Sequence, residues 1–285
     1  MLKRGAVVLR AHRSVILRVV AGSALVLAMT GCAQSAPYSP PAPAVGNCYD
    51  LENAIEIDTI SNSNPVVACD AAHTSQTYFT TKVTGTYAGW TDRPIAEILS
   101  QMQYRLCTID DLRAFVGTVD RDSLTNISIQ AYFPTTADWK AGSRTVACNV
   151  TVNGGADGLP QAIYTSLSDI MGSPASAVLR TCYVQKAAAD GMWVTSGATT
   201  TCDQPHSSQD INAWLPALGS NLTAPDVAEQ CQPYVEQFLG APLAGSGYQS
   251  TGILVKQDNG TVSLHCAIGG DSGQGNTTTV MVGHR

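Results

Sequence analysis

The apolar run at 19–29 stops at eleven residues, short of the roughly twenty that a bilayer-spanning helix needs. Acids are missing from the first eighteen positions, which hold Lys3, Arg4, Arg10, Arg13 and Arg18. A basic head followed by a short apolar run has the polarity of a secretory signal rather than of a stable membrane anchor. Catalytic signatures are missing as well. The chain has no Gly-x-Ser-x-Gly, no Ser-x-x-Lys, no His-Glu-x-x-His and no phosphate loop. It has only five histidines, of which His12 lies in the signal and two belong to a repeated string. General-base candidates are therefore few, and Ser75, Ser208, His73, His206 and the aspartates form no motif, so no enzyme activity and no cofactor are expected. An excess of base is the third absence. Five of the 16 basic residues lie in the signal and none of the 22 acids does, leaving 11 basic against 22 acidic residues, about −11. Such a surface repels nucleic acid and anionic lipid, so a nucleic-acid partner is excluded and membrane contact has to come from acyl chains.

The signal ends in Leu27-Ala28-Met29-Thr30-Gly31-Cys32. This resembles a lipobox, in which the cysteine thiol receives a diacylglyceryl group before cleavage, with Met29 standing where Leu, Val or Ile is usual. The competing reading is an ordinary signal cut after Ala36, which discards Cys32. The favoured order is a lipoprotein signal peptide over 1–31, lipidation at Cys32, and a tether over 32–44 that carries four prolines and stays extended. The membrane lipid is then a partner through acylated Cys32, and the chain lies outside the cytoplasm on the outer face of the cytoplasmic membrane.

Setting Cys32 aside leaves eight cysteines in two quartets, Cys48, Cys69, Cys107, Cys148 and Cys182, Cys202, Cys231, Cys266. The second of each quartet opens the same string, Cys69-Asp70-x-x-His73-Thr74-Ser75-Gln76 and Cys202-Asp203-x-x-His206-Ser207-Ser208-Gln209. The third starts a helical stretch that ends Phe115-Val116-Gly117 in one case and Phe238-Leu239-Gly240 in the other. Spacings from first to second are 21 and 20 residues, and from second to third 38 and 29. This is an internal duplication with loops of different length. An even set of cysteines in an exported chain implies disulfides. Four cysteines allow three pairings within each module, and local structure favours 48 with 69, 107 with 148, 182 with 202, and 231 with 266.

The expected fold is α+β, two tandem disulfide-bonded modules, each an antiparallel sheet packed against one main helix. Module 1 covers 45–152, a Gly- and Pro-punctuated linker 153–177, module 2 178–269, and a flexible tail 270–285. In module 1, strands are expected at 45–50, 65–70, 77–83, 127–132 and 145–152. A helix follows the Asp92 cap through Leu106, with Pro94 in its first turn, and 110–116 continues it or forms a second one. In module 2, strands are expected at 178–185, 192–195, 200–203, 252–257 and 261–267, with a helix at 226–239. Asp258-Asn259-Gly260 turns the last hairpin, and a short helical stretch is expected at 160–171.

Val45-Gly46-Asn47-Cys48-Tyr49-Asp50, then Cys69-Asp70-x-x-His73, then Trp139-x-x-Gly142-x-Arg144-x-Val146-x-Cys148, resembles the septum-formation domain of actinobacterial envelope proteins. The resemblance covers about 105 residues of the first module. The second keeps the cysteines and the Cys-Asp-x-x-His string but has no Trp-x-x-Gly-x-Arg segment, as in a diverged copy. Gln76 and Gln209 stand where the family commonly has Glu. The resemblance implies a part in septum or cell-wall formation.

Zinc ligation by Cys69 and His73 with Cys202 and His206 is the sharpest chemistry on offer. Against it, zinc needs thiolates, these cysteines have partners to oxidise with, and the two pairs belong to separate modules. No metal is expected; each histidine is read as capping a turn with its imidazole bonded to backbone. Trp139 and Arg144 have two readings, an exposed recognition surface that includes His73 and His206, or a lid on the module core. The reading that follows is a membrane-tethered, noncatalytic binding or scaffold protein with an envelope-protein or cell-wall partner. The alternative is an envelope hydrolase or metal-binding protein.

Overall fold

Among the described residues, hydrogen bonding organises the strands into two antiparallel sheets, one of four strands and one of five. The computed structural model describes residues 42–51, 60–118, 123–154, 160–187, 193–216, 222–256 and 261–270. The signal with Cys32, most of the tether, Met192, the Asp258-Asn259-Gly260 turn and the tail beyond 270 lie outside the described residues. Among the described residues no helix is long and apolar enough to cross a membrane.

The first sheet has the order β1-β2-β4-β3, with β1 at Cys48–Tyr49, β2 at Ser75–Lys82, β3 at Ile127–Tyr132 and β4 at Thr145–Val152. Only two residues of the expected 45–50 strand pair as such, and 65–70 contributes a single bridge from Val67 to Cys48. The turn that follows Val67 bends the chain toward His73 before β2 begins. Helices α1 (Ala96–Leu106) and α2 (Ile109–Val116) contribute Leu99, Leu112 and Val116 to the core that includes Tyr78, Val146, Cys148 and Val150. Helix α1 starts later than expected. Ile95, extended at ψ 160, is its N-cap, so Asp92 and Pro94 precede the helix. Helix α2 begins where the Thr108 side chain accepts from the Asp111 amide and stops at Gly117, whose φ of 77 is left-handed. The connection between the strands expected at 127–132 and 145–152 holds a short helix, α3 (Thr136–Lys140).

Strand β3 is an edge, and α1 covers it with a side chain. The Gln103 amide donates to Ile129 O at 3.1 Å and accepts from the Ala131 amide at 3.3 Å. One side chain thus replaces a neighbouring strand and blunts the edge against pairing with another chain. Residues 160–179 are built into the same core. Ile163, Leu167, Ile170, Met171 and Leu179 are buried there, and two short 3-10 turns, Ile170–Gly172 and Pro174–Leu179, replace the expected helical stretch.

The second sheet has the order β6-β5-β7-β9-β8, with β5 at Thr181–Ala187, β6 at Trp193–Thr201, β7 at Ser208–Pro216, β8 at Tyr248–Lys256 and β9 at Val262–Gly270. Helix α4 (Ala224–Leu239) opens with a capping box between Thr223 and Asp226. It buries Val227, Cys231, Val235 and Phe238 against Leu264, Cys266 and Ile268. Strand β7 is an addition to the expected set, and β6 unites two expected strands. The hydrogen bond from the Thr181 amide to Thr125 Oγ1 at 2.8 Å and that from the Asn126 amide to Leu179 O at 3.1 Å tie the two sheets' surroundings together.

Strand β8 passes close to both β9 and α4 at Gly252. A methyl group there would stand 2.6 Å from the His265 carbonyl oxygen and 3.2 Å from the Cys231 sulfur. Gly252→Ala is therefore expected to destabilise the chain by about 1–3 kcal/mol in urea unfolding. Gly89→Ala, with nothing within 4 Å of the new methyl, is expected to stay within about 0.5 kcal/mol of the parent.

Candidate functional site

The duplicated string lies at the start of β2 and β7 and turns inward. His73 is wholly buried and exchanges two backbone bonds with Ile163, His73 N to Ile163 O at 3.0 Å and Ile163 N to His73 O at 2.8 Å. Its Nδ1 lies 2.9 Å from Ala71 O. A carbonyl can only accept, so Nδ1 carries the proton and Nε2 holds the lone pair. That Nε2 is buried without a partner, an arrangement that costs about 1–3 kcal/mol of lost solvation. His206 repeats the geometry, 3% exposed with Nδ1 2.7 Å from Gln204 O. Burial holds its pKa below the usual histidine value, against the raising effects of the Gln204 carbonyl and Asp203.

Each histidine faces a disulfide of its own half. Among the described residues the bridges are Cys48–Cys69, Cys107–Cys148, Cys182–Cys202 and Cys231–Cys266. Those are the four pairs that local adjacency favours. A ring nitrogen of His73 lies within 4.8 Å of the sulfurs of Cys48 and Cys69, and one of His206 within 4.8 Å of those of Cys182 and Cys202. The four-ligand set drawn from both modules, Cys69 and His73 with Cys202 and His206, is therefore not the cluster that forms.

Gln76 shows why an amide serves where a carboxylate would not. It is fully buried, its Nε2 donates to Gly46 O at 3.2 Å and Ser166 Oγ at 3.0 Å, and its Oε1 accepts from the Leu167 amide at 2.7 Å. A glutamate here would set an anion against the Gly46 carbonyl with no proton to offer it. The amide ties 166–167 to β2.

Trp139 and Arg144 form a structural clamp. Trp139 is 1% exposed and donates Nε1 to Trp90 O at 3.0 Å. The Arg144 guanidinium lies 4.0 Å over its ring and donates to the carbonyls of Ala88, Trp139, Ser143 and Trp90 at 2.7–2.9 Å. Gly142, at φ 95, makes the reversal that brings Arg144 back over the indole. The clamp fastens the Gly85–Gly89 turn to α3. His73, His206 and Trp139 are buried and four of the five Arg144 N–H groups are bonded to backbone carbonyls, so these four residues do not make an exposed recognition surface. Trp90, 42% exposed and edge-on to Tyr87, is the accessible aromatic of this region.

A further cluster occurs in the second sheet alone. The Tyr183 hydroxyl donates to Asp210, whose other oxygen accepts from the Asn212 amide. His265 stacks under Trp214 with ring centroids 3.9 Å apart, and its Nε2 is 3.2 Å from Ser263 Oγ. Burial raises the Asp210 carboxyl above its ordinary range, with the Tyr183 and Asn212 bonds opposing. Burial lowers the His265 imidazole, with Asp210 opposing. The signal was a Tyr after Cys182 and an alternating Ser263-x-His265, which spacing alone does not connect to Asp210 across the sheet. Both Asp210 oxygens are engaged by Tyr183 and Asn212, so the acid's work here is to hold the β7 bulge.

These features define a class: an α+β protein of two antiparallel sheets stapled by four disulfides, with its repeated Cys-Asp-x-x-His string used inside the fold. The septum-formation family model matches residues 45–254, across both sheets and well beyond the roughly 105 residues that carry the resemblance, and the chain belongs to that family. No curated protein and no solved structure matches it.

His206 and His265 set a pH dependence. Each binds its proton less tightly folded than unfolded, so the stability they contribute is complete above about 6.5 and falls as the pH drops below it. Asp210 has the opposite sign, with stability complete below 3.8 and lost as pH rises through its raised folded value. The urea midpoint is expected to fall on mild acidification below neutrality, and to fall less in a His206→Gln, His265→Gln variant. An equal fall in both proteins rules out the buried imidazoles as its source.

Proposed function

We propose that this chain is an exported, lipid-anchored protein of an actinobacterial envelope that binds a cell-wall or envelope-protein partner in septum formation and carries out no catalysis itself. Cys32 takes the acyl chains, residues 32–44 space the folded part from the outer face of the cytoplasmic membrane, and the disulfides belong to that oxidising compartment. The observation that carries the reading is family membership over 45–254 in a chain whose cysteines, Cys32 apart, pair completely. The noncatalytic part rests on the use of the motif residues, since His73, His206, Trp139 and Arg144 are bonded to backbone within the fold.

The same reading takes the two sheets as tandem copies. The order β5-β7-β9-β8 repeats β1-β2-β4-β3. Ser75-Gln76 and Ser208-Gln209 open the equivalent second strands, and Cys107–Cys148 and Cys231–Cys266 link equivalent elements. Strand β6 is the second copy's addition, and the Trp139–Arg144 clamp is the first copy's.

Cys32→Ala, expressed in the native host, is expected to move the protein from the membrane fraction to the soluble extracytoplasmic fraction. Mass spectrometry of the parent should find an acylated amino-terminal Cys32. An unacylated terminus that begins elsewhere, or a variant that stays with membranes as fully as the parent, sinks the anchoring proposal. Enrichment of a tagged parent at division sites is the expected image, and even distribution around the cell counts against the septal role.

A further inference from the structure

The Cys-Asp-x-x-His string does something that neither capping nor family membership requires: in both halves it places a buried imidazole against a disulfide. We propose that Cys48, Cys69 and His73 form a redox-gated zinc site, locked as a disulfide and opened by a dithiol reductant, with Cys182, Cys202 and His206 its second copy. Two thiolates and one imidazole suit zinc, which takes sulfur and nitrogen ligands in tetrahedral geometry.

Three observations carry this. The ligand atoms of each trio already lie within 4.8 Å of one another. The Ala71 carbonyl holds the proton on His73 Nδ1, which leaves the ligand lone pair on Nε2, and that atom is fully buried with no other partner. A carbonyl on the far nitrogen is the outer-shell contact that fixes a metal-binding imidazole. Gln76 Nε2 lies 3.6 Å from the Cys69 sulfur, so the amide hydrogen that it gives to Gly46 O is within reach of a thiolate there. The Cys107–Cys148 and Cys231–Cys266 bridges belong to no such trio among the described residues.

The chemistry balances. The dithiol gives up two hydrogens and closes to its own disulfide, while the Cys48–Cys69 sulfur–sulfur bond breaks to two thiols. Zinc(II) displaces both thiol protons to solvent, His73 Nε2 donates its lone pair, and water takes the fourth position. Cys69 is partly exposed, whereas Cys182, Cys202 and His206 are all buried. The first copy is therefore the one that opens under the milder reductant.

The test uses the whole mature chain, reduced anaerobically with a trialkylphosphine, which offers no competing thiolate. Thiols are alkylated with and without zinc, and the labelled positions are mapped by mass spectrometry. Zinc is expected to slow alkylation of Cys48 and Cys69 at least about tenfold and to leave Cys107 and Cys148 unprotected. Cobalt(II) in place of zinc should show thiolate charge-transfer absorption. His73→Gln, in a preparation that has formed all four disulfides before reduction, should remove the protection at Cys48 and Cys69. Equal labelling of all eight cysteines with and without zinc, including through unfolding on reduction, overturns the proposal. Protection that persists undiminished in His73→Gln overturns it too.

Discussion

In each half, one sulfur–sulfur bond holds a helical segment to the last strand, and the placement of the remaining elements follows from it. Cys107 closes the end of α1 and meets Cys148 in β4, and Cys231 in the middle of α4 meets Cys266 in β9. Cys148 and Cys266 are wholly buried in strands that have neighbours on both sides, so the bridge reaches the centre of the sheet. Loops of 41 and 35 residues are closed in this way. On the chain-entropy model each closure is worth about 3–4 kcal/mol. That is a large share of the stability of a domain of about 100 residues. With the helix fixed, α2 starts directly from the Thr108 cap, and Gln103 comes within reach of the β3 edge.

The cysteines and the strands that flank them were legible because their signal is regular. Strands β3 and β4 begin and end where alternation puts them, at Ile127–Tyr132 and Thr145–Val152. Strand β7 was illegible for the converse reason. Between Asp210 and Ala213 its register shifts, and Asn212 sits at φ 58, so the alternation is out of phase on the two sides of a bulge. The repeated string held the missing information, since Ser75-Gln76 opens β2 and Ser208-Gln209 opens β7. Gly and Pro punctuate 153–177, which makes that segment read as a linker with a short helical stretch at 160–171. Its apolar residues have no helical or strand period, and they reach the core through 3-10 turns and the bonds to His73 and Gln76.

The candidate site was legible as a pattern and illegible as geometry. Sequence showed that Cys, Asp, His and Gln recur together, which is what a binding motif looks like. The structure uses the His and Gln as buried polar framework and leaves Asp70 and Asp203 exposed. His73, Ser75, Gln76, Thr77 and Asn149 are all fully buried, and Thr77 Oγ1 donates to Asn149 Oδ1 while Asn149 Nδ2 donates to Ser75 Oγ, each at 2.9 Å. A buried polar group needs its partner, so Ser75, Thr77 and Asn149 specify one another across the sheet. Local spacing reports that residues belong together and is silent on whether they face solvent or each other.

The two sheets fill a buried face with different chemistry. Thr77 pairs with Asn149 in the first sheet, and Asp210 pairs with Ala267 in the second. Tyr49 follows Cys48 as Tyr183 follows Cys182. The first sheet fills this face with neutral hydroxyl and amide groups that satisfy each other. The second sheet fills it with an acid bonded to a phenol, beside an imidazole stacked under an indole that is 61% exposed. Neutral pairs are indifferent to proton concentration, whereas a desolvated acid and imidazole are not. The partly exposed Cys69 gives the first half the more accessible disulfide, and Asp210 with His265 gives the second half the more titratable sheet. The two sheets thus carry two different chemical sensitivities, because what the fold requires at these positions is a satisfied buried group and not a particular kind of one.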